Sequence, residues 1–104
     1  MDCQLIYITA SSAEEARKIA RALVEERLAA CANLLGDIGS IYWWEGAVQE
    51  DTEFALIVKS TAELVPSIVE RVRVLHSYDC PCVVAMPITA GNSAFLEWIE
   101  AETN

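Results

Sequence analysis

The chain has 104 residues, 54% of them hydrophobic, with seven Lys or Arg against sixteen Asp or Glu and a net charge of -9. That length accommodates one domain, residues 1-104, and leaves no room for a second core. The acidic balance opposes approach to phosphate backbones and anionic lipid, which argues against nucleic acid and membrane surfaces as partners.

The opening Met1-Asp2-Cys3-Gln4 carries an acid where a signal peptide needs a base. No apolar run approaches the length that spans a bilayer, so cytoplasmic residence is expected. In that reducing compartment Cys3, Cys31, Cys80 and Cys82 are expected as thiols. A domain this small leaves roughly a third of its unfolded-chain surface exposed, so its apolar content implies a homo-oligomer.

Leu5 to Thr9 reads as a short strand, with Ile6 and Ile8 on one face and Leu5, Tyr7 and Thr9 on the other, both suited to burial. Ser12-Ala13-Glu14-Glu15 is a capping box, and Ala16, Ile19, Ala20, Leu23, Val24 and Leu28 form one helical stripe behind it. From Ala32 to Trp44 the pattern predicts a long, irregular strand in which Gly36 and Gly39 mark bends or a bulge. Glu45-Gly46 begins a polar turn through Gln49-Glu50-Asp51, and Phe54, Leu56 and Val58 alternate on the returning strand. Ser60-Thr61-Ala62-Glu63 repeats the capping-box pattern before a helix carrying Leu64, Ile68, Val72 and Leu75, with Pro66 near its start. Cys82 to Ile88 is the last strand, and Gly91-Asn92-Ser93 precedes a short terminal helix with Phe95, Leu96, Trp98 and Ile99. The order is βαββαβ plus a short C-terminal helix, an α+β, ferredoxin-like split βαβ fold.

The connection His76-Ser77-Tyr78-Asp79-Cys80-Pro81-Cys82 joins the second helix to the last strand and gathers the only histidine with two of the four cysteines. Functional side chains commonly sit on such loops above a rigid base. On extended backbone Cys80 and Cys82 face the same way, so they share either a metal or a core face. A Cys-x-Cys with one nearby His lacks the full spacing of a structural zinc site, but thiolate and imidazole suit copper or zinc. Catalysis would have to be built on His76, and nothing aligns Ser77, Cys80 or Cys31 with it, so the chain reads as a non-enzyme. Phosphate-cradling and dinucleotide loops are absent from the sequence, and no organic cofactor is expected. Tyr42-Trp43-Trp44 fits a core or subunit-contact patch better than a ligand platform. Glu53 and Lys59 on the opposing strand are either exposed charges or the lining of a polar pocket at its foot.

Ala30-Cys31-Ala32-Asn33, Ser40 through Gly46, Glu53 through Lys59, His76 through Pro81, and Asn92 through Ile99 together resemble the CutA divalent-cation tolerance family over nearly the whole chain. The resemblance implies a ferredoxin-like trimer, similar in architecture to the PII signalling proteins, with copper or other divalent-metal binding and no established reaction. It maps recurrent positions facing intersubunit clefts onto Cys31, Tyr42, Trp44, Glu53, Lys59, His76, Tyr78 and Trp98. The family's His-Pro-Tyr-Glu is His76-Ser77-Tyr78-Asp79 here. The positions of a strand Cys and a second His that serve as copper ligands in some members are Ile8 and Leu75, so His76, Cys80 and Cys82 form the expected metal set. The leading expectation is a cytoplasmic homotrimer with a metal or ligand site at the subunit interface. The alternatives are a PII-like sensor that binds a small anionic molecule at Lys59 and His76, and a structural trimer that holds a partner protein.

Overall fold

The computed structural model describes residues 2–104. Strand β1 (Cys3–Ala10) leads into helix α1 (Ala13–Glu25), which is followed by the hairpin of β2 (Cys31–Trp44) and β3 (Ala47–Thr61). A single 3-10 turn (Ala62–Leu64) opens into α2 (Val65–Leu75), and β4 (Val83–Pro87) and α3 (Ser93–Glu102) close the chain. The sheet runs β2-β3-β1-β4 with every neighbouring pair antiparallel. This is the arrangement expected from two βαβ halves.

Strand alternation divides the sheet into two unlike faces. Ile6, Ile8 and Ala10 of β1 and Leu56 and Val58 of β3 meet Ala16, Ile19 and Leu23 of α1 and Ile68 and Val72 of α2 in the main core. The opposite face is covered only at one end, where α3 lays Ile99 against Cys3 and Ala30. The rest of that face stays open towards the edge strand β4, whose Val84 and Met86 are about half exposed (50% and 51%).

Local chemistry sets the element ends. Ser12 Oγ accepts the Glu15 amide at 3.1 Å, while Glu15 Oε1 accepts the Ser11 amide at 3.0 Å, so the first capping box forms with its return bond one residue early. The second does not form. Ser60 is a buried strand residue whose hydroxyl donates to the Leu28 carbonyl at 2.6 Å, and Thr61 makes no side-chain cap. The predicted polar turn through Asp51 is also corrected, since only Glu45 and Gly46 turn, at φ 50° and 78°. Positive φ at both central residues matches the twist of a two-residue hairpin, so pairing resumes at once between Trp44 and Ala47. Gly36, at φ 135°, lies where the β2 register skips Leu35, which makes it the bulge, whereas Gly39 pairs regularly with Thr52. The last strand starts at Val83, not at Cys82.

Helix α1 ends on an arginine in the left-handed region, Arg27 at φ 61°. The Leu28 amide returns to the Leu23 carbonyl at 2.9 Å and the Arg27 amide to that of Val24 at 3.1 Å, the bond pair of a Schellman cap. Glycine normally fills that position, and here Arg27 extends its guanidinium to Glu102 at 2.8 Å and so ties α3 to the end of α1. Arg27→Gly and Arg27→Ala both lose this tie, but only alanine keeps a Cβ in the left-handed region. Arg27→Gly should therefore be the more stable of the two by about 1 kcal/mol in urea unfolding, and equal stabilities would show that the cap is unstrained.

Candidate functional site

Where the open face meets the long hairpin, the sheet forms a cleft of about 590 Å³. Tyr7 and Thr9 of β1 and Glu53 of β3 make its floor, and Ile38, Ser40, Tyr42 and Trp44 make the hairpin wall. Those four β2 residues share a face by strand alternation. The facing wall is the loop after α2, through Tyr78, Asp79, Cys80 and Cys82.

His76 anchors that loop from beneath. Its side chain is wholly buried; Nε2 lies 2.7 Å from the Thr9 carbonyl oxygen, and Nδ1 accepts the Tyr78 amide at 3.0 Å. These partners assign the proton to Nε2. Glu15 Oε1 stands 3.5 Å from Nδ1, and Glu15 Oε2 accepts the Ser77 amide at 3.1 Å. The imidazole ring lies against Tyr78 with centroids 4.6 Å apart. Both ring nitrogens are engaged, so His76 does not join Cys80 and Cys82 in the expected ligand set. Among the described residues there is no group of three or more His, Cys, Asp or Glu arranged to hold a metal ion.

The remaining expected site residues divide between two ends of the sheet. Tyr42, Trp44, Glu53 and Tyr78 meet Cys80 and Cys82 in the cleft. Lys59 pairs with Cys31 across the strands, donates to Asn33 Oδ1 at 2.7 Å and has its ammonium 5.8 Å from the centroid of the Phe95 ring, which in turn packs against Trp98 at 5.4 Å. Lys59 sits opposite Leu5 and Ala55 sits opposite Thr9, so about 13 Å of strand separates Lys59 from the His76 contact at roughly 3.3 Å per residue. Within one chain, Lys59 and His76 do not form a common anion site. The cleft also draws in Tyr7, Thr9, Ile38 and Ser40, which sequence reasoning did not select. Extending the two-residue alternation back from Tyr42, and along β1 from Tyr7, would have found them.

Local electrostatics keep the Tyr42 and Tyr78 phenols neutral. The hydrogen bond from Tyr42 to Asp51 Oδ2, 2.5 Å long, pushes the phenol up to about 12. Burial, and after it the Glu53 charge, raises Tyr78. Burial also raises the Cys82 thiol, against a hydrogen bond from the Thr9 hydroxyl that lowers it. Burial alone would raise Glu15, but its hydrogen bonds with Ser11 and Ser77 outweigh that and hold its carboxyl below the usual range.

The CutA1 divalent ion tolerance protein family matches residues 4–102. The divalent-cation tolerance protein CutA of Thermus thermophilus is 49% identical over 100 residues, covering 96% of this chain and 97% of that protein. The CutA protein of Archaeoglobus fulgidus is 48% identical over 95 residues, covering 91% and 92%. The solved Thermus thermophilus structure superposes with a TM-score of 0.96 at 48% identity over 98% of this chain and 99% of that one. The Oryza sativa CutA1 structure gives 0.96 at 39% identity over 100% and 95%. An α+β protein of this topology, with a cleft between its hairpin and the loop after α2, therefore belongs to the CutA1 divalent ion tolerance family.

Removing the imidazole leaves the Thr9 carbonyl without its donor. His76→Ala should cost about 1–3 kcal/mol in urea unfolding, and His76→Gln, whose amide can still donate, should recover part of it. Unchanged stability in His76→Ala would show that water replaces the ring.

The lowered Glu15 carboxyl sets a direction for acid unfolding. A carboxyl with a depressed folded pKa contributes stability that is fully present above its unfolded value, about 4.3, and is lost as pH falls through the lower folded value. Glu15→Gln should therefore flatten the loss of stability below about pH 4.5, and the same acid slope in both proteins would assign it to other carboxylates.

Proposed function

We propose that the chain is a homotrimeric binding protein that captures a soft or divalent metal ion at the cleft, with Cys80 and Cys82 as its thiolate donors. The observation that carries this reading is that both thiols line one cleft whose charged side chains, Glu53 and Asp79, are acids. Membership of the CutA1 family, whose relatives are named for divalent-cation tolerance, supports a metal as cargo. Thiolates favour Cu(I) or Zn(II) over hard cations, and Cu(I) accepts as few as two of them. A third donor for zinc comes from Asp79 after a loop adjustment or from a neighbouring subunit. His76 orients the loop from below and is not a ligand.

Self-assembly is supported by the apolar surface left uncovered in a single chain. Ile41 and Trp43 on the hairpin are 70% and 74% exposed, in addition to the open face around Val84 and Met86. Surfaces of this kind mark protein contacts. The reading includes a reducing, cytoplasmic setting in which the four free cysteines remain thiols, although the Archaeoglobus fulgidus relative is named a periplasmic protein. It also assigns binding without catalysis, since the only imidazole is engaged on both nitrogens.

The test is anaerobic titration of the purified assembly with Cu(I) and Zn(II), alongside light scattering for subunit number. Affinity should rise with pH as the thiols lose protons and fall about tenfold or more in the double variant Cys80→Ser with Cys82→Ser. Metal binding that survives the double change would move the site elsewhere. A wild type that binds neither ion, or a stable monomer, would refute the reading.

A further inference from the structure

The cleft holds more aromatic surface than a metal site needs. Four rings, those of Tyr7, Tyr42, Trp44 and Tyr78, line it together with the Glu53 carboxylate, and no Lys, Arg or His is among the lining residues. Its volume of about 590 Å³ matches that of sites for small organic molecules.

We propose that this cleft binds an alkylated organic ammonium ion, seated among the four aromatic rings with Glu53 as its counter-charge. Aromatic rings attract such cations through their electron-rich faces, and the attraction grows when water is excluded. Anions are disfavoured because Glu53 and Asp79 have no cationic side chain beside them in the lining. A neutral apolar guest would have to cover the Glu53 carboxylate without compensating it. Hydrogen-bonding capacity separates alkylated from primary ammonium. A primary ammonium must give up the hydrogen bonds that water makes to its three N–H groups, whereas a nitrogen capped by methyl groups gives up none and still meets the ring faces, which favours the alkylated cation. This inference goes beyond the metal reading, sharing its cleft but none of its donors.

Calorimetric titration of the assembled protein with choline tests it, with 3,3-dimethylbutanol as the uncharged isostere and tryptophan fluorescence as a second readout. Choline should bind saturably, the isostere about tenfold or more weaker, and Glu53→Gln should lower choline affinity by a similar factor. Should Glu53→Gln fail to fold, Tyr42→Leu on the exposed hairpin wall should weaken choline in the same way. A wild type that binds choline but neither Cu(I) nor Zn(II) would count against the metal reading alone, and one that binds metal but not choline would count against this proposal alone. Equal binding of the isostere, no saturable choline binding, or choline affinity indifferent to Glu53→Gln and Tyr42→Leu would overturn the proposal.

Discussion

Much of the cleft depends on one hydrogen bond, the 2.7 Å contact between His76 Nε2 and the Thr9 carbonyl. His76 is the residue at which α2 gives way to extended backbone, with φ -80° and ψ 148°, so its side chain fixes where the following loop begins. Thr9 is the next-to-last residue of β1 and also forms part of the cleft floor. Joining the two sets the loop wall against the floor. Glu15 reinforces the joint by accepting the amides of Ser11 and Ser77, which bracket it from the loops before α1 and after α2. A buried network with every partner present holds one geometry, because any vacancy in it would leave a polar group unsatisfied in low dielectric. No buried side-chain nitrogen or oxygen lacks a partner among the described residues.

Two features of composition act at the opposite side of this joint. The apolar residues beyond what the helices can cover collect on the open sheet face and the hairpin, which is where a neighbouring subunit would have to sit. The acidic residues, sixteen against seven basic, leave a field that draws cations. Ion pairs within the chain consume part of the basic side, including Arg71 with Glu26 at 2.9 Å and Arg73 with Glu70 at 2.6 Å, so the cleft acids face no local neutralisation.

The topology was legible because its signals are periodic. Alternation in β1 and the helical stripe of α1 each extend over enough residues to average out local exceptions. What was missed depends on single contacts. Glu45-Gly46 lacks the Asn-Gly signature of a two-residue turn, so the hydrophilic stretch through Asp51 looked like loop, although it is hairpin strand paired to Ser40 and its neighbours. Ser60 fits a capping pattern, but the Leu28 carbonyl, distant in sequence, claims its hydroxyl. The histidine shows the same limit. As the lone imidazole beside two thiols it has the composition of a ligand, and only the positions of Thr9 and Tyr78 reveal that both nitrogens are already engaged. Half of the cleft was visible, namely Tyr42, Trp44, Glu53, Tyr78 and the two thiols. Lys59, Cys31 and Trp98 fell at the far end because register, which sets position along a strand, is not written in alternation.

The division of labour within the cleft follows from how its walls are built. The aromatic wall belongs to a strand in a continuous ladder, so its rings stand at fixed spacing. The thiols lie just outside β4, which begins only at Val83, and Pro81 between them removes one backbone donor from that stretch. A cation that needs ring faces should therefore prefer the hairpin side, whereas one that needs bonds should turn to the thiols. The two are linked by charge. On the proposed readings, Cu(I) held by two thiolates would leave the cleft more negative than the neutral thiols, which would strengthen its attraction for an ammonium ion, while Zn(II) held by the same pair would leave the field unchanged. Reciprocity would then require the ammonium to favour Cu(I) by the same factor, so the cleft would couple the two cations through charge alone, without any movement of the fold.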